Sequence, residues 1–340
     1  MNMMETIKQV AKETAKAETF AGTYYVVTPE GIVTDSFGFA NRAERIPNQT
    51  NTRYGIASGT KLLTAMAICQ LVDSGKLSLH AKLADCLEID FLAIDPEITV
   101  HQLLTHTSGI ADYFDEEVMD DYEELWQQTA VYQMRKGKDF LPLFQQQEMK
   151  EKPGTTFRYN NSGYIVLGLV VEQASGLSFS DYVERAIFQK AGMPRSGFFE
   201  MDALPEGAAL GYIDEENGKW RTNVFSVPAK GGADGGAFVT APEMARLWQE
   251  LSAGKLMSKE MVASLLAPHV QVEDDLFYGY GGYMKGEAGR VYKHIFMGYD
   301  PGVNFRMACY PETGHVLVVC SNNSDGAFEL QTAIETALFT

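Results

Sequence analysis

The sequence predicts an α+β fold, in which a sheet built from both ends of the chain carries flanking helices and an all-helical domain is inserted between its halves. Strand-like stretches lie near the N-terminus and again after residue 277, whereas residues 85–210 have mainly helical apolar spacing. The predicted sheet domain, an α/β sandwich, therefore comprises residues 1–84 and 215–340. The predicted helical domain comprises residues 85–214, and the cleft between the two domains is the expected place for a small-molecule site.

The N-terminal elements are predicted from periodicity and turn residues. Residues 3–18 are amphipathic and predict a surface helix with Ile7 on its apolar face. Strands are predicted at residues 22–28 and 31–37, because Pro29-Glu30-Gly31 between them is typical of a hairpin turn. A polar, turn-rich loop follows and leads to Ser58.

The predicted helix over residues 58–72 is apolar on almost every side, which indicates a buried helix. Ser58 at its start is therefore accessible only through a cleft. Ser58 and Lys61 are three residues apart and share a helix face, with the hydroxyl at the positive end of the helix dipole. Lys61 lies close enough to take or polarise the hydroxyl proton. The same spacing recurs at Ser252 and Lys255, where a helix ends, and we interpret that copy as structural.

The remaining elements follow in order along the chain. Helices are predicted at residues 100–104, 122–134, 140–148, 164–174, 179–191, 241–253, 258–266 and 327–338. Strands are predicted at residues 281–284, 291–297, 303–310 and 315–321.

A second set of candidate residues is Tyr159-Asn160-Asn161, in a loop that enters the predicted helix at Tyr164. A tyrosine whose pKa is lowered by a neighbouring ammonium can act as a general base. The Asn161 amide can both donate to and accept from a substrate amide or carbonyl. The alternative is a turn rich in Asn and Ser that caps the next helix.

Composition excludes several classes of function. The net charge of −17 disfavours a nucleic-acid partner and electrostatic docking on an anionic membrane. The four cysteines form no CxxC pair and the six histidines are scattered, so we predict neither a metal site nor a cofactor. The N-terminus lacks the apolar core of a signal peptide, and no apolar run reaches 18 residues. We therefore expect no integral membrane segment and a cytoplasmic protein as the sequence stands, or an exported one if a leader was removed.

Together, Ser58-x-x-Lys61 and Tyr159-x-Asn161 resemble motifs of the serine β-lactamase and penicillin-binding-protein superfamily, in particular its class C branch with esterase and D-peptidase relatives. Further similar stretches lie at residues 98–110, 153–164, 192–193 and 235–240, so the resemblance covers nearly the whole chain. It implies a β-lactamase/transpeptidase-like fold.

The third motif of these proteins, Lys-Thr-Gly or His-x-Gly, aligns with Phe296-Met297-Gly298, so a phenylalanine replaces the basic residue. In penicillin-recognising relatives the cation helps to hold a substrate carboxylate, which an apolar ring cannot do. His294 lies two residues earlier and shares a strand face with Phe296. It is either a partial substitute or a structural histidine. The change favours less charged esters or amides, and some esterase relatives carry tryptophan at this position.

The resemblance implies a serine hydrolase that acts through an acyl-enzyme on an ester, D-peptide or β-lactam, which is a small-molecule or peptidoglycan-like substrate. The implied roles are Ser58 as nucleophile, Lys61 and Tyr159 as proton carriers, Asn161, Gly298 and Phe296 in substrate binding, and the N–H groups of Ser58 and Tyr299 as oxyanion hole. Two alternatives remain: a Ser58–His106 triad, and a catalytically impaired member that serves as a binding or sensing module. The sequence leaves the oligomeric state open.

Overall fold

The computed structural model describes residues 2–287 and 289–340, and a large antiparallel sheet lies at its centre. The strands are β1 (Gly22–Thr28), β2 (Gly31–Phe37), β3 (Phe39–Asn41), β4 (Ile46–Pro47), β5 (Tyr54–Gly55), β6 (Tyr212–Asp214), β7 (Trp220–Thr222), β8 (Phe238–Val239), β9 (Val270–Gln271), β10 (Leu276–Tyr278), β11 (Tyr283–Glu287), β12 (Arg290–Asp300), β13 (Val303–Tyr310) and β14 (His315–Ser321). Eight of these described strands form one sheet in the order β2-β1-β14-β13-β12-β11-β10-β9.

Both ends of the chain contribute to this sheet. β1 pairs antiparallel with β14 from Gly22 opposite Ser321 to Val27 opposite Val316. The hairpin β1–β2 thus extends a meander formed by the C-terminal strands. This pairing confirms the predicted α+β fold with a sheet assembled from both termini.

Helices cover both faces of the sheet. They are α1 (Met3–Ala17), α2 (Lys61–Asp73), α3 (Leu83–Cys86), α4 (Val100–Leu104), α5 (Leu125–Gln128), α6 (Gly137–Phe144), α7 (Asn161–Ser175), α8 (Phe179–Val183), α9 (Ala241–Ser252), α10 (Lys259–Leu265) and α11 (Ala327–Phe339). α1 and α11 pack together on one face over a core that contains Ile7, Val319 and Leu330. α2, α7 and α9 belong to a larger core on the other face. No helix in the described part of the chain is long and apolar enough to span a bilayer.

Three predicted elements differ from the structure. The helix predicted over residues 122–134 is a series of short turns and α5, because Val131 and Met134 are its only buried residues. Ser58 lies in a single 3-10 turn, Ala57–Thr60, that precedes α2. The boundary predicted at residue 215 falls inside the β6–β7 hairpin, which joins residues 212–222. The division into two domains stays a prediction.

The α1–α11 layer provides a test of how the terminal helices stabilise the sheet. Ile7 is fully buried against the core under these helices. We expect Ile7→Ala to lower the free energy of unfolding by about 2–4 kcal/mol, because it leaves a cavity. Urea denaturation followed by circular dichroism measures this change. The control Lys8→Ala, at the adjacent exposed position, is expected to stay within about 0.5 kcal/mol of wild type. Equal effects of the two variants would contradict the packing described here.

Candidate active site

The turn that carries Ser58 is held against the short β5–β8 sheet. The Ile56 N–H donates to the Ala237 carbonyl at 2.9 Å, and the Ala237 N–H donates to Thr60 Oγ1 at 3.0 Å. Ala57 adopts φ of 44°, in the left-handed region that residues other than glycine rarely occupy. Such strain persists only where the surroundings impose it, and it is frequent at functional sites. No pattern in the sequence predicts this backbone constraint beside Ser58.

Lys61 follows this turn as the first residue of α2, and its side chain is 1% exposed. Its Nζ lies 2.9 Å from Ser58 Oγ, 2.8 Å from Asn161 Oδ1 and 2.8 Å from the Asp234 carbonyl oxygen. Burial lowers the pKa of the Lys61 ammonium, while the charge of Asp234 acts in the opposite direction.

This geometry suits Lys61 as a base. A neutral amine has two N–H donors and one lone pair, whereas an ammonium has three donors and no acceptor. Asn161 Oδ1 and the Asp234 carbonyl can only accept hydrogen bonds, so they take both N–H groups of the neutral form. The lone pair is then left for the Ser58 hydroxyl proton.

Tyr159 lies beside this pair. Its ring centroid is 5.0 Å from Lys61 Nζ and 4.5 Å from the centroid of the His106 ring. Burial raises the pKa of the Tyr159 phenol well above its usual value, although a hydrogen bond with Ser58 acts to lower it. The predicted lowering of this pKa by the ammonium is therefore wrong. Tyr159 is a neutral phenol at physiological pH, which fits a proton donor better than an initial base.

His106 has both ring nitrogens occupied by other groups. Its Nδ1 accepts from the Asn160 N–H at 3.0 Å, so Nε2 carries the proton and donates to the Tyr278 hydroxyl at 2.9 Å. Burial lowers the pKa of His106 well below its usual value. His106 therefore fixes the loop that carries Tyr159 and Asn161, and it is not hydrogen-bonded to Ser58 as a triad requires.

Asn161 begins α7 and is held by Asp112, which sequence reasoning did not single out. The Asp112 carboxylate accepts from the Asn161 N–H at 2.8 Å and its Nδ2 at 3.1 Å, and from the Ser162 N–H at 2.9 Å and Oγ–H at 3.1 Å. With Nδ2 bound in this way, the Asn161 Oδ1 faces Lys61. Burial raises the pKa of Asp112 to about 7, against the effect of these donors. Asp112 lies two positions after the family-like stretch 98–110. Its role is visible only in the structure, where it is buried against the start of α7.

The strand β12 forms one wall of the site and leaves part of one edge unpaired. Its pairing with β11 extends to Tyr283 opposite Ile295, whereas its pairing with β13 continues to Asp300 opposite Val303. Gly298 lies between these points, and a Cβ atom there would be 2.1 Å from the Ile56 carbonyl oxygen and 2.6 Å from the Ser58 nitrogen. Only glycine allows this approach, which brings the backbone of the neighbouring Tyr299 to the Ser58 turn.

The third-motif side chain does not reach the site. Phe296 is 3% exposed and its ring lies 6.1 Å from Trp248, in the core under the sheet. It is absent from the cavity wall, so the structure removes it from the predicted substrate-binding residues. His294 also packs against Trp248, at 5.2 Å, and burial lowers its pKa to about 4. It is a neutral structural histidine and does not replace the missing cation.

The predicted residues other than Phe296 come together around one cavity of about 640 Å³. Its wall includes Ser58, Lys61, Tyr159, Asn161, Gly298 and Tyr299. Tyr113 also lines it, and the Tyr113 hydroxyl donates to Asp234 Oδ2 at 2.5 Å. Asp300 lies in the wall as well, and its carboxylate has no hydrogen bond or ion pair to the residues described (2–287 and 289–340).

A serine paired with a buried lysine, at the edge of an antiparallel sheet formed by both chain ends, defines the β-lactamase and penicillin-binding-protein class. A family profile described as Beta-lactamase matches residues 7–339, and the chain belongs to that family.

Individual relatives agree with this assignment. The chain is 51% identical to a penicillin-binding protein from Bacillus halodurans of known crystal structure, with a TM-score of 0.93 over 98% of this chain and 100% of that one. It is 25% identical to penicillin-binding protein 4* of Bacillus subtilis (strain 168), over 99% of this chain and 75% of the relative. A D-stereospecific amidohydrolase from Streptomyces sp. has the same fold, with a TM-score of 0.79, 21% identity and coverage of 100% and 99%.

Asp112 does not contact the substrate, but its hydrogen bonds predict that its replacement lowers activity. We expect Asp112→Asn to lower kcat about tenfold or more, because Asn161 no longer holds Lys61 in place; about 1.4 kcal/mol suffices for a factor of ten. Stability should fall by about 1–3 kcal/mol. Ester hydrolysis and urea denaturation measure the two effects.

The matched control for this variant is Asp73→Asn. Asp73 binds the N–H and Oγ–H of Ser258 at the start of α10, as Asp112 binds those of Ser162, but it lies at the opposite end of α2 from Lys61. Asp73→Asn should reduce stability and leave kcat unchanged. Equal losses of kcat in both variants would contradict a specific role of Asp112.

Because the Asp300 carboxylate has no partner among the described residues, we expect the free energy of unfolding to depend on pH. Burial and the charge of Asp234 raise its pKa to about 7, above the value of about 3.9 in an unfolded chain. The folded protein therefore loses stability as the pH rises from about 4 to about 7. We expect Asp300→Asn to be more stable than wild type at pH 8, by on the order of 1–4 kcal/mol, and equal to it near pH 4.

Denaturant unfolding at both pH values measures this difference, with Asp274→Asn as the control. Asp274 is an exposed carboxylate outside the cavity wall, so its replacement changes the net charge alone. A stability difference for Asp300→Asn that is the same at pH 4 and pH 8 would show that its carboxylate does not titrate as described.

Proposed function

We propose that this protein is a serine hydrolase that acts through an acyl-enzyme, with Ser58 as nucleophile. The observation that carries the proposal is the position of Lys61 Nζ, which is buried, has a lowered pKa and lies 2.9 Å from Ser58 Oγ. These conditions favour an amine that accepts a proton at neutral pH. Membership of the β-lactamase family supports the same chemistry.

In acylation, the Ser58 hydroxyl proton moves to Lys61 Nζ while Oγ bonds to the substrate carbonyl carbon. Collapse of the tetrahedral intermediate breaks the bond to the leaving oxygen or nitrogen, which receives the proton through the Tyr159 phenol. Water then attacks the acyl-enzyme by the reverse proton route and releases the acid. Ester or amide plus water thus gives acid plus alcohol or amine.

The developing oxyanion requires preorganised donors, and the backbone N–H groups of Ser58 and Tyr299 are our candidates. The close approach of Gly298 to the Ser58 nitrogen supports this choice, because it places the two backbones side by side. Asn161 positions Lys61 through Oδ1, and its Nδ2 already donates to Asp112 and to the Phe114 carbonyl. It therefore contacts the acyl side of the substrate as an acceptor, through the second lone pair of Oδ1.

The substrate class we favour is an ester or amide whose binding does not require a cation on β12 to hold a carboxylate. Phe296 lies in the core and His294 is neutral, so β12 presents neither as a cation to the cavity. The fold neighbour from Streptomyces is a D-stereospecific amidohydrolase, so amide substrates are compatible with this architecture. A non-catalytic binding module would not need a buried lysine with a lowered pKa beside Ser58, which makes it the weaker candidate.

Covalent labelling tests the nucleophile. We expect a fluorophosphonate to add one adduct to wild type, measured by intact mass, and expect Ser58→Ala to abolish both the adduct and p-nitrophenyl ester turnover. Ser252→Ala is the matched control, because it alters the other Ser-x-x-Lys sequence at an exposed position in α9. A fluorescent penicillin, tested in parallel, is expected to label more weakly. An adduct that persists in Ser58→Ala, or wild type without adduct and turnover, would overturn the proposal.

A further inference from the structure

Most of the charged side chains in the wall of the cavity beside Ser58 are acidic. The carboxylates in its wall are Glu116, Asp120, Asp121, Glu123, Asp234 and Asp300. Within residues 2–287 and 289–340, the cationic side chains of the wall are those of Lys61 and Arg306. A cleft lined by charges of one sign raises the local concentration of ligands of the opposite sign.

Neither cation is placed to bind a substrate anion next to the nucleophile. Lys61 uses its amine for Ser58, Asn161 and Asp234. Arg306 is opposite Met297 in the β12–β13 register, and its guanidinium lies 4.6 Å from the centroid of the Phe328 ring on α11. It therefore faces the α11 side of the sheet, whereas Gly298 faces the Ser58 turn on the other side.

The acidic side chains differ in how far the protein neutralises them. Glu123 forms an ion pair with Arg221 at 2.6 Å. Asp234 accepts from the Tyr113 hydroxyl. Asp300 has no such partner among the described residues, although its charge interacts with those of Lys61 and Asp234. It lies two residues after Gly298 on β12 and so shares the strand face that is directed at Ser58.

We infer that the cavity selects substrates that carry a protonated amine close to the scissile carbonyl, with Asp300 as the carboxylate that binds the amine and Asp234 beside it. An α-amino acyl amide or ester has this chemistry. The inference rests on the proposed hydrolase function of the same site. An unpaired carboxylate inside a cavity is unfavourable. A substrate ammonium supplies the hydrogen bonds and the opposite charge that the protein does not provide to Asp300.

Two isosteric substrates test this selectivity. Alanine p-nitroanilide, as the D and L forms separately, carries the ammonium, and isobutyryl p-nitroanilide carries a methyl group in its place. We expect wild type to have a higher kcat/KM for at least one alanine form than for the isobutyryl compound. We expect Asp300→Asn to lower the ratio of the two kcat/KM values by about ten- to a hundredfold, as for the loss of one hydrogen bond to a charged group.

The matched control is Asp274→Asn, which removes the same charge from an exposed position outside the cavity wall and should leave the ratio unchanged. A wild-type enzyme that hydrolyses the isobutyryl compound without preference for either alanine form would overturn the inference, whether or not the variant folds. An unchanged ratio in folded Asp300→Asn would overturn it too. If wild type cleaves neither anilide nor a p-nitrophenyl ester, the proposed hydrolase function itself fails.

Discussion

The buried amine of Lys61 is the interaction on which the candidate site depends. An ionisable group inside a protein is tolerated only when its polar atoms are satisfied, and Lys61 has three oxygen partners. These partners come from distant parts of the sequence: the turn before α2, the start of α7 at Asn161, and the glycine-rich loop at Asp234. The amine is therefore in place only when all three segments are correctly packed.

Contacts from the sheet and its loops hold the groups around Lys61 in position. Gly298 allows β12 to contact the Ser58 turn, and Ala57 is held in a left-handed conformation by residues around Ala237. Asp112 fixes Asn161, and Nδ1 of His106 accepts from the Asn160 N–H in the loop before it, while Nε2 binds the Tyr278 hydroxyl on β10. Each of these contacts acts on the position of a neighbouring group, which is how a fold preorganises a site.

Sequence reasoning reached the residues whose chemistry is visible in their spacing. Ser58 and Lys61 follow from helical periodicity, and Asn161 follows from the family motif with Tyr159. The motif alignment predicts Phe296 in the cleft beside the substrate, yet an apolar ring on that strand face is more stable in the core with Trp248.

The pKa shifts that burial causes could not be predicted from the sequence. The sign of the Tyr159 pKa shift depends on whether desolvation outweighs the hydrogen bond with Ser58, which only the three-dimensional structure decides. The same holds for Asp112 and Asp300, which resemble ordinary loop carboxylates in the sequence. Elements such as β5 and β8 have two residues each and are too short for any periodicity.

The acidic wall also bears on how Lys61 becomes a base. The charges of Asp234 and Asp300 favour the protonated form of Lys61, whereas burial favours the neutral form that catalysis requires. A substrate ammonium bound at Asp300 offsets part of this negative charge, and as a like charge it further disfavours a proton on Lys61. Binding of such a substrate and release of the proton from Lys61 are then coupled. The coupling offers a physical reason for keeping a carboxylate that the folded protein leaves unpaired.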